Sequence, residues 1–216
     1  MSDQMLKETC LPAELLPKMQ AGIMSGSYRG RSTWKCPMDI AIYIDILWTL
    51  KPATIVEFGS NRGGSAQMLA DQVAAYGRPT TKIYSYDHHP VKDLGDPRIT
   101  FGYCDVSEPE KHLDAKLFAA MKHPILVIDD ASHIGPHVLA TLRFVDRFLT
   151  AGDYVIVEDG ILTHLGWAEQ YQGGPLAAIE TFLGETAGRY EVDRQRCDTY
   201  GTNATWNVDG YLRRVK

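Results

Sequence analysis

Several features that define other classes of protein are scarce or missing in this sequence. Its 216 residues include only four cysteines, and these are far apart, with no pair in the CxxC spacing. The sequence therefore predicts neither a disulfide framework nor a thiolate zinc site. No apolar run approaches the about 18 residues that a membrane-spanning helix needs, and the first residues lack the apolar core of a signal peptide. We therefore expect a soluble, cytoplasmic protein.

Positive charge is not concentrated anywhere in the chain. The formal net charge is -5, and no run or stripe of lysine and arginine stands out, which argues against nucleic acid as a partner. Nor do we expect a membrane partner. Internal repeats and low-complexity tracts are also missing, so the length predicts one domain with short additions.

The most informative stretch runs from Thr54 to Ser65. A β-branched apolar run ends in Glu57 and Gly59, a glycine-containing turn follows, and Gly63 begins a helix. In a parallel α/β sheet, this arrangement presents a nucleotide-like cofactor at the C-terminal end of the first strand. The spacing is not GxGxxG, which argues against a dinucleotide. A carboxylate at this position can attract the sulfonium or ammonium group of S-adenosylmethionine.

Strand and helix patterns alternate along the rest of the chain. Alternation of this kind predicts a parallel sheet with helices on both faces. Two closing strands complete the prediction of an α/β, Rossmann-like class I methyltransferase fold with a mostly parallel seven-stranded sheet. The predicted strands are 54–58, 82–87, 99–105, 124–130, 154–160, 190–195 and 211–215. The predicted helices are 38–50, 63–75, 110–121, 136–149 and 176–187.

The remaining segments are predicted as an N-terminal addition and a long loop. Residues 1–50 should form an arm, a loop and a helix, and residues 51–216 the methyltransferase domain. The loop 26–37 is either a connector packed by Trp34 or a flap over the active site. Residues 161–175 form a predicted lid-like loop, because loops of that length in a compact domain are usually functional or disordered.

Acidic residues follow five of the predicted strands. In a parallel sheet these strand ends share one edge, where ligands bind. Each acid alone could be a helix cap or a turn residue, but many carboxylates at one edge are costly unless a cation or hydrogen bonds neutralise them. The acids are Glu57, Asp87, Asp105, Asp129, Asp130, Glu158 and Asp159.

The first three strands carry most of the predicted cofactor site. Asp87 lies where ribose hydroxyls are bound in Rossmann-like proteins, and Asp105 could accept from an adenine amino group. The predicted cofactor-binding residues are Glu57, Gly59, Ser60, Gly63, Ser65, Asp87, Asp105 and Asp129.

Asp130, Glu158 and Asp159 form a predicted metal site. The fourth and fifth strands are neighbours if their connection is the usual right-handed crossover, so these three carboxylates would converge. Oxygen ligands of this kind suit Mg²⁺. Asp129 would point the other way and is left out of the metal ligands. The alternative is a carboxylate cluster that only caps helices.

His133 is the predicted general base. It follows Asp130 by three residues, between a strand and a helix, and histidine can accept a proton near neutral pH. A lone histidine in a turn is more often structural, but the neighbouring acids favour a catalytic role for His133 and Asp130. Weaker candidates are His88, His89, His137 and His164.

These motifs resemble the cephalosporin hydroxylase-like proteins, a family of class I, S-adenosylmethionine- and metal-dependent O-methyltransferases, and are similar to macrolide-sugar and rhamnosyl O-methyltransferases. The matching stretches run from about residue 28 to 215. They are Tyr28-x-Gly30, Pro37-x-Asp39, residues 55–59 with 63–65, Asp130-x-x-His133, residues 154–159 and residues 209–214. The sequence departs from the usual family pattern at Ser60-Asn61-Arg62 and at the doubled Asp129-Asp130.

The resemblance implies the site roles and the chemistry. Asp130, Glu158 and Asp159 would bind Mg²⁺, His133 would be the base, and Glu57 and Asp87 would bind the cofactor. The expected reaction is methyl transfer to a hydroxyl of a small natural product, either a sugar or a polyketide or antibiotic intermediate. The family also implies a homo-oligomer.

Three alternatives remain open at this point. An NAD-linked oxidoreductase would need a dinucleotide loop and a catalytic Tyr/Lys pair, and neither is found. A degenerate fold could bind S-adenosylmethionine or a partner without chemistry, or the cofactor could serve another reaction, because fold does not fix chemistry. The aromatic residues Trp34, Trp167, Tyr171 and Trp206 would line an acceptor pocket or belong to the core.

Overall fold

The structure is a computed structural model, and it describes residues 5–89, 91–92 and 94–216. Its strands are β1 (Ser27–Tyr28), β2 (Arg31–Ser32), β3 (Thr54–Phe58), β4 (Lys82–Asp87), β5 (Ile99–Tyr103), β6 (Ile125–Asp129), β7 (Tyr154–Val157), β8 (Tyr190–Val192) and β9 (Tyr211–Arg214). Its helices are α1 (Leu16–Met24), α2 (Pro37–Leu50), α3 (Gly64–Ala75), α4 (Pro109–His112), α5 (Ala115–Ala119), α6 (Gly135–Asp146), α7 (Gly174–Glu185) and α8 (Arg194–Cys197), with a 3₁₀ helix at Gly160–Thr163.

Seven of these strands form one sheet in the order β5-β4-β3-β6-β7-β9-β8. Strands β3 to β7 pair with one another in parallel, and β9 is antiparallel to both of its neighbours, β7 and β8. This topology confirms the predicted class I methyltransferase fold. The predicted neighbours β6 and β7 do pair, so Asp130 and Glu158 follow adjacent strand ends, where Glu158 N donates to Asp129 O at 2.9 Å.

The middle of the sheet forms the core. Every residue of β3, β6 and β7 is buried, as expected for parallel strands covered on both faces. Helix α2 adds Ile42, Tyr43, Ile46 and Leu47 to this core. None of the helices in the described residues is both long and apolar enough to span a membrane.

The predicted helix over residues 110–121 is wrong in its middle. Leu113 is extended, and Asp114 caps a second short helix by accepting a hydrogen bond from Lys116 N. Similarly, the predicted strand over 190–195 ends at Val192 because Asp193 caps α8 through Arg196 N. In both places an aspartate satisfies the first helical N–H groups, a local effect that outweighs the longer pattern.

The two predicted loops have internal structure. Residues 161–175 begin in the 3₁₀ helix, and α7 already starts at Gly174. Residues 26–37 contain the hairpin of β1 and β2, which packs over the start of α3. A Cβ on Gly64 would lie 2.1 Å from Thr33 Oγ1, so a side chain there would clash with the hairpin.

Candidate active site

A cavity of about 1620 Å³ opens at the C-terminal edge of the parallel strands. Its walls come from the strand ends, α1, the segment after β2, and the segment after the 3₁₀ helix. The predicted cofactor residues Gly59, Ser65, Asp87 and Asp105 line it. Glu57, Ser60, Gly63 and Asp129 are buried behind the lining. The volume exceeds that of a typical single-ligand pocket, so it can hold a cofactor and an acceptor together.

The turn after β3 depends on glycine. Gly59 has φ +100°, a conformation that L side chains rarely adopt, and a Cβ there would lie 2.0 Å from the carbonyl oxygen of Asp130. Gly63 has φ +77° and precedes the first residue of α3. The glycine turn is therefore packed directly against the backbone that carries Asp130.

Glu57 is fully buried at the base of this turn. The Ser85 hydroxyl donates to its Oε2 at 2.5 Å, whereas Oε1 is buried without a hydrogen-bond partner among the described residues. Burial raises the pKa of Glu57, and the positive charge of Lys35 opposes that shift. A buried carboxylate oxygen with unused acceptor capacity is suited to a cationic or hydrogen-bond-donating group.

Asp87 and Asp105 make local bonds at the ends of β4 and β5. Asn61 N donates to one oxygen of Asp87 at 2.8 Å, and His89 N donates to the other at 2.8 Å. Asp105 accepts from the backbone N–H and the hydroxyl of Ser107 at 2.9 and 2.6 Å. These aspartates shape the cavity rim, and each retains acceptor capacity on its oxygens.

Ser60 and Asp129 complete the predicted cofactor residues. The hydroxyls of Ser60 and Ser85 lie 2.6 Å apart. Asp129 is 3% exposed, and burial raises its pKa to about 7. Ala131 N donates a hydrogen bond to its Oδ1 at 3.4 Å.

Asp130, His133 and Asp159 converge at the cavity. One ligand atom from each lies within 4.8 Å of the others, a grouping that could hold a metal ion. His133 Nε2 lies 3.1 Å from Asp159 Oδ2 and 3.9 Å from Asp130 Oδ1. His133 and Asp159 also have positive φ angles, 57° and 60°. Non-glycine residues in this conformation are uncommon and are enriched at functional sites.

Glu158, the third predicted metal ligand, faces a different set of partners. It is 4% exposed, and its Oε1 accepts hydrogen bonds from Lys35 Nζ and from the hydroxyl of Tyr43. Lys35 Nζ also bonds Asp130 Oδ2. Asp130 therefore connects two groups, because Oδ2 faces Lys35 and Oδ1 faces His133.

Sequence reasoning did not single out Lys35 and Tyr43. A lysine in a glycine-bearing, basic loop has the pattern of a solvent-exposed residue, and a tyrosine on the apolar face of a helix has the pattern of a core residue. The available signal was position, because Lys35 lies directly before the Pro37-x-Asp39 motif. Burial alone would lower the pKa of Lys35, but attraction to Asp130 and Glu158 outweighs burial and raises it.

The predicted aromatic residues divide between cavity and core. Trp34, Trp167 and Tyr171 line the cavity, and Trp34 is 48% exposed. Trp206 is 2% exposed and donates from Nε1 to Gln20 Oε1 at 2.7 Å. Three of the four residues are thus available to an acceptor, whereas Trp206 is part of a second hydrophobic cluster.

The weaker histidine candidates also divide. His88, His89 and His137 line the cavity, and His137 Nδ1 lies 3.0 Å from Ser132 Oγ. His164 precedes the lining residue Trp167, and its buried Nε2 has no hydrogen-bond partner in the part of the chain that the structure describes. None of these rings belongs to the group formed by Asp130, His133 and Asp159.

The sequence profile of the rhamnosyl O-methyltransferase/CmcI family matches residues 22–215. The chain belongs to this family. The match extends from within α1 to Val215, the first residue after β9, and includes Asp130, His133, Glu158 and Asp159. The predicted family and the predicted enzyme class, a methyltransferase, are therefore confirmed.

Two relatives with similar sequences are both named rhamnosyl O-methyltransferases. The rhamnosyl O-methyltransferase of Mycobacterium leprae (strain TN) is 33% identical over 196 residues, which cover 87% of this chain and 82% of that protein. The rhamnosyl O-methyltransferase of Mycobacterium tuberculosis (strain ATCC 25618 / H37Rv) is 29% identical over 195 residues, covering 87% and 78%.

A solved structure of CmcI with Mg-SAM is similar to this structure. The TM-score is 0.69 at 30% sequence identity, with 89% of this chain and 78% of that chain covered. The two proteins of the rhamnosyl O-methyltransferase/CmcI family thus share one architecture over most of their length.

Proposed function

We propose that this chain is an S-adenosylmethionine-dependent, Mg²⁺-dependent O-methyltransferase that acts on a hydroxyl group of a small molecule. Family membership and the Mg-SAM found in the CmcI structure support the two cofactors. The observation that carries the proposal is the convergence of Asp130, His133 and Asp159 at the cavity that the glycine turn borders.

The residues present fit the proposed cofactor. Gly59 and Ser65 line the cavity beside the first turn of α3, and the unused oxygen of Glu57 offers an acceptor for a cationic group. Asp87 and Asp105 follow the next two strands, where they would bind the ribose and the adenine. The donor set of Asp130, Glu158 and Asp159 is that of a hard divalent cation.

When bound, the cofactor supplies a methyl group on a sulfonium, and the metal supplies positive charge that makes a nearby hydroxyl more acidic. The chain itself aligns the acceptor and removes its proton. The His133 imidazole would take that proton, and Asp159 Oδ2, 3.1 Å from Nε2, would stabilise the imidazolium that results. Trp34, Trp167 and Tyr171 would hold the acceptor and exclude water. Alignment of this kind can contribute about 7–11 kcal/mol to lowering the barrier.

The substrate class follows the family resemblance. Two relatives are named rhamnosyl O-methyltransferases, so we propose a sugar, or a polyketide or antibiotic intermediate, as the acceptor. Residues 1–50 would form an N-terminal arm, a flap loop and a helix, and residues 51–216 would form the methyltransferase domain. The cytoplasmic location and the homo-oligomer stay predictions.

Methyl transfer from S-adenosylmethionine to a panel of hydroxylated sugars and polyketide glycosides tests the proposal. We expect turnover with Mg²⁺, loss of turnover in EDTA, and recovery when Mg²⁺ is restored. Asp130→Asn should abolish turnover while still binding S-adenosylhomocysteine in calorimetry. Asp114→Asn, which changes only a surface helix cap, is the matched control and should remain active.

Two outcomes would contradict parts of the proposal. Full activity in chelator would remove the metal from the reaction. Cofactor binding with no transfer to any acceptor, and no binding of Mg²⁺, would favour the degenerate, non-catalytic form of the fold.

A further inference from the structure

Lys35 is a buried lysine at the proposed metal site. Its side chain is 2% exposed, and its ammonium group bonds Asp130 Oδ2 and Glu158 Oε1. Both carboxylates belong to the set that we propose as metal ligands. The ammonium group of Lys35 thus lies between two carboxylates, and a divalent metal ion would be attracted to the same two carboxylates.

The local fold fixes this position. Lys35 lies three residues after β2 and two residues before α2, which begins at Pro37 after an extended Cys36. The same helix contributes Tyr43, whose hydroxyl donates to the oxygen of Glu158 that Lys35 bonds. Glu158 is therefore held by two donors from one segment, and its orientation does not require a metal.

The charge of Lys35 offsets the charge of the neighbouring carboxylates. Asp130, Glu158 and Asp159 bring three carboxylates together, and burial of unpaired charges of one sign is strongly unfavourable. The ammonium group of Lys35 balances part of that charge inside the protein. The same positive charge repels any second cation that approaches Asp130.

We propose that Lys35 is an internal counter-cation of this carboxylate cluster, which stabilises the metal-free fold and weakens the affinity of the cluster for a divalent ion. The proposal rests on the metal-binding part of the proposed function. It predicts a preformed site with exchangeable metal, in which Lys35 lowers affinity rather than building the site.

The test compares Lys35→Met with the wild-type enzyme. Methionine keeps an unbranched side chain as far as Cε and removes the ammonium group and its charge. Lys116→Met, on the exposed face of α5, is the matched control. Free Mn²⁺ is measured by electron paramagnetic resonance during titration at fixed ionic strength, with Mg²⁺ as competitor. Thermal unfolding is followed in EDTA and in saturating Mn²⁺.

We expect Lys35→Met to bind Mn²⁺ about tenfold or more tightly, because a positive charge close to the ion is gone. Its Tm in EDTA should fall below that of the wild type, and saturating Mn²⁺ should restore most of the loss. Lys116→Met should match the wild type in both measurements. Unchanged or weaker Mn²⁺ binding by Lys35→Met would overturn the proposal, because Lys35 would then help to build the metal site.

A double variant covers the case in which Lys35→Met does not fold in EDTA. Lys35→Met with Glu158→Gln removes one charge of each sign, so its Tm in EDTA should return towards the wild-type value. An equal loss of Tm in the single and double variants would show that Lys35 acts through packing, and would overturn the counter-cation role.

The outcome is distinguishable from failure of the proposed function. If the wild type binds Mn²⁺ but transfers no methyl group, the reaction is refuted and the test of Lys35 is unaffected. If neither the wild type nor Lys35→Met binds Mn²⁺ or Mg²⁺, both the metal site and the counter-cation proposal are overturned.

Discussion

Gly59→Ala should destabilise the protein by forcing apart two strand ends that lie in contact. The new Cβ would lie 2.0 Å from the carbonyl oxygen and 2.5 Å from the carbonyl carbon of Asp130. Both are backbone atoms, so no side-chain rotation relieves the overlap. The ends of β3 and β6 would have to separate, which stretches the 2.9 Å hydrogen bond from Asp130 N to Phe58 O.

The expected magnitude has three parts. Holding alanine at φ +100° costs about 1–3 kcal/mol, and weakening the hydrogen bond costs about 1 kcal/mol more. With the steric overlap, we expect a loss of about 3–5 kcal/mol in the free energy of unfolding. For a chain of this length each kcal/mol lowers Tm by about 2–4 °C, so Tm should fall by about 6–20 °C.

Gly77→Ala is the control that separates conformational strain from overlap. Gly77 also has a positive φ, +71°, but a Cβ there meets nothing within 4 Å. Its Tm should fall by only a few degrees, because the backbone cost of about 1–2 kcal/mol is all that remains. Thermal unfolding measures both variants, and Mn²⁺ titration reports whether Asp130 has moved. Equal losses of Tm, with unchanged Mn²⁺ affinity in Gly59→Ala, would refute the reasoning.

Three further predictions concern single side chains. Burial raises the pKa of Asp39 to about 6, so between about pH 4 and pH 6 the folded chain keeps a proton that the unfolded chain releases. The free energy of unfolding of the protein should therefore fall by about 3 kcal/mol as pH rises through that range. Urea denaturation at several pH values measures this dependence, and Asp39→Asn should flatten it. An unchanged pH dependence in Asp39→Asn would rule Asp39 out as its origin. Glu57→Gln should weaken S-adenosylhomocysteine binding in calorimetry by about tenfold or more without lowering Tm, because it removes a buried charge that the cofactor would neutralise; equal affinity would place the cofactor elsewhere. His133→Asn should lower kcat by about 10²–10⁴ and leave Mn²⁺ affinity unchanged if His133 is the base; a parallel loss of Mn²⁺ affinity would make it a ligand instead.

The sequence predicts the sheet well because its signals are local and repeated. The buried strands β3, β6 and β7 are largely apolar and have acids at or beside their C-terminal ends. The usual crossover rule then places Asp130 beside Glu158. Helix boundaries are less well predicted. Asp114 and Asp193 each cap a short helix that the longer pattern hides, since a single capping side chain can redirect the backbone where hydrophobic periodicity is weak.

The candidate site was predictable only in part. The acids and His133 lie close to strands whose order the sequence implies, so their convergence follows from topology. Lys35 and Tyr43 reach Glu158 from a segment more than 100 residues earlier in the chain. No periodic pattern encodes such a contact, because it depends on how the hairpin and α2 pack onto the sheet.

The insertion of β9 between β7 and β8 has a consequence for synthesis of the chain on the ribosome. Until Tyr211–Arg214 have emerged, β7 has a partner on one side only, and its other edge offers unpaired backbone groups to any neighbouring strand. The acids that follow β7 therefore gain their final setting last. A nascent chain stalled before this point would carry an incomplete active site and an edge prone to aggregation.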